Sequence, residues 1–127
     1  MPAPSTEVNW AGFYVLDGSS SEQQLILGPF QGKVACQTIR FGRGVCGAAA
    51  ATKTTQLVGN VHHFPGHIAC DSDSKSEIVV PVLKGHGESV RVVAIIDVDC
   101  TVVDGFDQVD KQFLEQLSQL LARSCDW

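Results

Sequence analysis

Residues 77–98, EIVVPVLKGHGESVRVVAIIDV, decide the fold. Two runs rich in β-branched residues, 77–83 (EIVVPVL) and 90–98 (VRVVAIIDV), flank a glycine-containing turn at 85–88, which predicts an antiparallel hairpin at the centre of a sheet. Downstream, Asp107 is placed as an N-cap with Asp110 in a capping-box-like position. Apolar residues then fall at Phe113, Leu117, Leu120 and Leu121, the spacing of an amphipathic C-terminal helix. Upstream, residues 44–53 (GVCGAAAATK) open with glycines and run through four alanines, predicting one short helix. Further upstream, residues 10–16 (WAGFYVL) and 25–27 predict two paired strands, with a turn region at 17–21. Between the short helix and the hairpin, residues 59–75 hold three His, a Pro, two Gly and two Asp without periodicity. That is a long loop of the kind that carries function. The order strand, strand, helix, loop, strand, strand, helix predicts an α+β sandwich with a central antiparallel sheet flanked by helices.

The chain of 127 residues is the size of one domain, and 44% apolar against 18% charged residues is a globular composition. Residues 1–8 (MPAPSTEV) are expected to form a flexible tail ahead of a single domain over residues 9–127. They have neither the basic nor the apolar region of a signal peptide, and no apolar run approaches the roughly 18 residues a membrane span needs, so the expected compartment is cytoplasmic, with no membrane partner. A net charge of −5 argues against nucleic acid, whose phosphates require clustered cations.

Five cysteines, at 36, 46, 70, 100 and 125, form no CxxC pair, which favours free, metal-bound or reactive thiols over a disulfide framework. Cys70 ends the histidine-containing loop (HHFPGHIAC). A buried structural cysteine is the commoner case for any single Cys, but an accessible loop with histidines nearby offers a route to a thiolate. Cys36 and Cys46 sit beside glycines where a thiol is approachable, whereas Cys100 and Cys125 read as packing or functionally indifferent residues. His62, His63, His67 and Cys70 are suitable zinc ligands by type, yet their spacing matches no common site, and no metal is expected. Residues 42–47 (GRGVCG) match G-x-G-x-x-G without the parallel strand and acidic ribose partner of a dinucleotide site, and residues 28–33 lack a P-loop's length and hydroxyl.

Asp97 and Asp99, two apart on a strand, share one face beside a strongly apolar run, and Glu77 begins the neighbouring strand. Either the strand runs out into water there, or the carboxylates serve a cationic ligand or share a proton. Trp10, Gly12 and Tyr14 likewise share a face, as aromatic core or as the wall of a pocket for a sulfur-bearing or apolar group.

The stretches NWAGFY (9–14), LGPFQGKVAC (27–36), GRGVCG (42–47), HIACDS (67–72), SEIVVP (76–81) and IDVD (96–99) together resemble the free methionine-(R)-sulfoxide reductases, a family built on the GAF fold. The three cysteines 36, 46 and 70, spaced by 10 and 24, are part of the match. The resemblance implies a GAF-like catalytic domain, with the family's N-terminal helical segment shortened, and thiol-dependent reduction of free L-methionine-(R)-sulfoxide. It implies that Cys70 attacks the sulfoxide sulfur and becomes a sulfenic acid, that Cys36 resolves it as a Cys36–Cys70 disulfide, and that Cys46 assists in resolving or relaying that disulfide. It implies that Glu77, Asp97 and Asp99 hold the substrate and help protonate the departing oxygen, and that Trp10 and Tyr14 form the aromatic side of the pocket. No bound cofactor is expected, only an external dithiol such as a thioredoxin-like protein. The family's N-terminal helices take part in dimer contacts, so a homodimer is one assembly the resemblance allows. The alternatives are a non-catalytic GAF module that senses a small molecule and a thiol redox sensor.

Overall fold

The computed structural model describes residues 1–66 and 73–127. Among them, β1 (Val8–Leu16), β2 (Gln24–Gly32), β3 (Thr38–Arg40), β4 (Gln56–Val58), β5 (Ser76–Lys84) and β6 (Arg91–Cys100) form one antiparallel sheet in the order β3-β2-β1-β6-β5-β4. Two helices, α1 (Gly44–Thr52) and α2 (Gln108–Ser124), cover its faces. This is the flanked antiparallel α+β architecture expected from sequence.

The predicted hairpin is β5–β6, and both strands are buried along nearly their whole length because helices cover both faces. A strand covered on both sides need not alternate apolar and polar residues, which is why 78–83 and 92–96 are continuous apolar runs. β4 reaches only as far as Val79, so Pro81 sits where β5 has become an edge and a missing N–H is tolerated. Strands β3 and β4, three residues each, carry too little pattern to stand out in sequence.

α1 packs closely on the sheet because its residues are small. Ala49 and Ala50 are buried, and a Cβ on Gly47 would come within 2.5 Å of the Arg40 carbonyl oxygen. Ala49 and Ala50 share a core with Trp10, Tyr14, Val79 and Ile95. On the opposite face α2 lies over Ile78, Val80, Val82, Ala94 and Ile96. Its start is the capping box predicted from sequence: Asp110 N–H donates to Asp107 Oδ1 at 3.0 Å and Asp107 N–H donates to Asp110 Oδ2 at 2.9 Å.

The side of α2 that meets the sheet differs from the one the leucine spacing picks out. Phe113 is 65% exposed, and Leu117 and Leu120 also face outward. Leu114, Ser118, Leu121 and Ala122, at i, i+4, i+7 and i+8, face the core. Small Ser118 and Ala122 let the helix approach the sheet, and periodicity alone cannot tell which of two apolar stripes a sheet will take. Residues 1–8, expected as a tail, are seated on the same layer. Ala3 joins the α2-side core, a 3₁₀ turn spans Ser5–Glu7, β1 already includes Val8, and the Met1 ammonium lies 3.5 Å from Asp110.

Candidate active site

Sheet register assembles the site. Trp10 on β1 pairs with Asp99 on β6, which pairs with Glu77 on β5, so three residues from three strands occupy one rung and one face. On that face, two residues along, Asp97 stands between Gly12 and Val79, and the following rung brings Tyr14 opposite Ile95. The first turn of α1 lowers Cys46 onto this floor. Its Sγ lies 3.3 Å from Asp97 Oδ2 and 3.8 Å from Glu77 Oε2. All four acidic or thiol side chains are buried, none more than 8% exposed. The strand does not run out into water at Asp97 and Asp99.

Three carboxyls and a thiol in so small and dry a space cannot all ionise. Cys46 sits in a helix's first turn, where the dipole favours a thiolate, but burial and then repulsion by Asp97, Glu77 and Asp99 outweigh it and push the thiol well up. Cys46 is therefore a neutral S–H that donates to Asp97. Burial, followed by the charge of Asp97, raises Glu77 well above the usual carboxylic range. Burial also raises Asp97, partly offset by hydrogen bonds from Glu77, Cys46 and Asp99. The pair consequently retains a proton that exposed carboxylates would have lost. Asp97 Oδ1 accepts no hydrogen bond among the described residues, leaving a buried acceptor in the cluster.

The aromatic wall stands beside this floor. Trp10 stacks on Tyr14 at 5.9 Å and on Phe30 at 5.6 Å between ring centroids. The chain has room for the indole because residue 12 is glycine: a Cβ there would lie 2.8 Å from the Trp10 ring and 2.5 Å from Phe30 Cβ. Burial, then the neighbouring thiol and carboxyls, raise Tyr14 far above its ordinary value and keep it a neutral phenol. Its hydroxyl donates to the Cys36 carbonyl oxygen at 2.8 Å, and Trp10 Nε1 donates to the Lys33 carbonyl oxygen at 3.0 Å. Sequence alone had no signal for these two bonds to the loop at residues 33–37.

The structure thus brings together Trp10, Tyr14, Cys46, Glu77, Asp97 and Asp99, with Cys36 on the loop that Tyr14 holds. Cys70 and His67 lie outside the described residues. Cys36 is disulfide-bonded, while Cys46, Cys100 and Cys125 carry free thiols. Cys46, expected at an approachable position, is instead inside the acidic floor. Cys100 is fully buried at the end of β6, a packing residue, whereas Cys125 is exposed beyond α2 and does not pack in the core. Lys33 Nζ pairs with Asp73 Oδ2 at 2.8 Å, which ties the Cys36 loop to the chain three residues after Cys70. Among the described residues, the group able to hold a metal is not a histidine set. It is Cys46, Glu77 and Asp97, whose ligand atoms lie within 4.8 Å of one another.

This rung of aromatic, carboxyl and thiol groups beneath α1 sits in a fold whose family is clear: the GAF domain model matches residues 3–125, and the chain belongs to the GAF domain family. It is 57% identical over 121 residues to the free methionine-R-sulfoxide reductase of Saccharomyces cerevisiae, covering 95% of this chain and 65% of that protein. The solved free methionine-R-sulfoxide reductase from Neisseria meningitidis in complex with its substrate is similar at TM-score 0.82 and 43% identity, over 91% of this chain and 66% of that one. The fRMsr of Staphylococcus aureus in its reduced form is similar at TM-score 0.81 and 45% identity, over 92% and 71%. Within the GAF family the chain belongs with the free methionine-R-sulfoxide reductases. It spans about two thirds of the length of the yeast relative. Among the described residues, no helix is long and apolar enough to cross a membrane.

Proposed function

We propose that the chain reduces free L-methionine-(R)-sulfoxide to L-methionine with thiols as the electron source. The observation that carries this is the buried Glu77–Asp97–Cys46 cluster facing an aromatic wall, a site that keeps a proton ready beside an unused carboxylate oxygen. The substrate's methyl and sulfur rest against Trp10 and Tyr14, where aromatic rings favour sulfur. Its ammonium meets Asp97 and Asp99.

Attack by a Cys70 thiolate on the sulfoxide sulfur makes the oxygen basic, and Glu77, held protonated by burial and by Asp97, supplies its proton as general acid. Methionine leaves and Cys70 becomes a sulfenic acid. Cys36 then attacks the Cys70 sulfur, the S–S bond forms and oxygen leaves as water. The disulfide-bonded state of Cys36 and the Lys33–Asp73 link between the two segments support this pairing. Cys46, as a neutral donor to Asp97, steadies the acid pair and is the remaining thiol for disulfide relay. A dithiol protein of thioredoxin type restores the thiols, which fits a reducing cytoplasm. The balance, one sulfoxide and two thiols to one thioether, one disulfide and water, closes without a bound cofactor.

The test is methionine release from R and S epimers, free and peptide-bound, coupled to a dithiol. Turnover of the free R epimer is expected and of the others is not. Cys70→Ser is expected to abolish it, and full activity in that variant would refute the assignment. Cys36→Ser is expected to complete a first turnover and then stall.

A further inference from the structure

We propose that Tyr14 is a positioning residue for the resolving thiol: its hydroxyl holds the main chain of Cys36 over the acidic floor, so that it governs disulfide closure rather than methionine formation. The proposal rests on the reductase reading above and goes beyond it. There Tyr14 is only wall, and nothing assigns its hydroxyl a task.

The geometry separates the two parts of the side chain. The ring is buried in the stack with Trp10, on the face of β1 that carries the acidic floor. With Cys36 disulfide-bonded, the hydroxyl donates to the Cys36 carbonyl oxygen at 2.8 Å. The loop that carries Cys36, residues 33–37, has no helix or strand of its own and much of it is exposed. Its two ends are pinned from the floor of the site, Lys33 through Trp10 and Cys36 through Tyr14, both residues of β1. β1 is a central strand bonded on both sides, so the pins share the rigidity of the sheet. A protonated phenol is required for this bond. Burial, with the repulsion of Cys46, Asp97, Asp99 and Glu77, keeps it protonated at every pH at which the enzyme would work. The step at stake is the condensation already balanced above: the Cys36 thiol attacks the Cys70 sulfenic sulfur, S–S forms, S–O breaks and water leaves. A loop released from its pin presents the thiol to that sulfur less often, whereas the first attack does not involve Cys36.

The decisive variant is Tyr14→Phe, which keeps the ring and removes the hydroxyl. Reduced, desalted protein is mixed with excess free methionine-(R)-sulfoxide without reductant and quenched by alkylation. Methionine is then read by chromatography and the Cys36 disulfide by mass. In the wild type the two are expected to rise together. In Tyr14→Phe, whatever the rate at which methionine forms, the disulfide should lag behind methionine by about fivefold to tenfold, the range one neutral hydrogen bond supplies. A dimedone-trappable sulfenic acid should accumulate in the gap. A disulfide closing at the wild-type rate overturns the proposal, as does a parallel slowing of both products, which would make Tyr14 wall alone. If the wild type forms no methionine, the reductase reading fails, and hydrogen peroxide as oxidant then decides the Tyr14 assignment by the same lag in closure or its absence. Tyr14 is the chain's only tyrosine, so 3-fluorotyrosine labels it alone. Should Tyr14→Phe not fold, the fluorine makes the phenol a stronger donor while keeping the ring: an altered lag between methionine and disulfide supports the pin, and an unaltered lag overturns it.

Discussion

Glu77 holds its proton because water has been removed from around it and because Asp97 stands against it, and the same two causes tie its protonation to the stability of the fold. A carboxyl whose folded value is raised contributes stability that is fully present below its unfolded value near 4.5 and is lost as pH climbs through the folded value. Wild-type protein is thus expected to melt at falling temperature as pH rises, and Glu77→Gln to flatten that slope, read from melting curves between acid and alkaline pH. On the proposed mechanism the same variant has no proton for the departing oxygen, so turnover is expected to drop about 10²–10⁴-fold. A steep slope that survives in Glu77→Gln would place the titration elsewhere. Gly12 makes a different demand on the site. A methyl there meets both Trp10 and Phe30, so Gly12→Ala is expected to cost about 1–3 kcal/mol by urea unfolding and to weaken substrate binding as the indole moves. The types and faces of these residues were legible in the sequence, because alternation along a strand is enough to put Trp10 with Tyr14 and Asp97 with Asp99. What Tyr14 and Trp10 bond to was not, since their partners are carbonyls of a loop that is remote in sequence.

At the scale of elements, the central hairpin and both helices could be read in advance because each carries a local signal: β-branched runs, a run of alanines, a capping box. The edge strands β3 and β4 could not, since a three-residue strand owes its pairing to β2 and β5 and not to its own pattern. Nor could the packed side of α2, where two apolar stripes compete and the small residues Ser118 and Ala122 settle the choice. Alanine substitution separates the stripes. Ile78→Ala, at a fully buried position under α2, is expected to cost about 2–5 kcal/mol in chemical denaturation. Leu117→Ala on the outer stripe should change stability by no more than about 0.5 kcal/mol. Equal losses at both positions would mean that the outer stripe is covered.

Across the whole molecule, that outer stripe of Val109, Phe113, Leu117 and Leu120 leaves apolar side chains in water along one helix, against a net charge of only −5. Exposed runs of this kind promote association, so light scattering should rise with protein concentration, and Phe113→Lys with Leu117→Lys should suppress the rise without altering the melting temperature. A chain that stays monomeric at all concentrations would contradict this. The candidate active site, by contrast, lies under α1 on the far face of the sheet, so such changes should leave the proposed turnover untouched. Its dimensions have a backbone origin. Trp10, Asp99 and Glu77 occupy neighbouring strands of one rung, and adjacent strands stand about 4.8 Å apart whatever side chains they carry. The hydrogen-bonded ladder therefore acts as a fixed ruler beneath the ligand. Width is set in whole strand steps, so an altered preference for longer or shorter versions of the proposed substrate must come from exchanging side chains on the rung or reshaping the surrounding loops, never from a gradual widening of the floor.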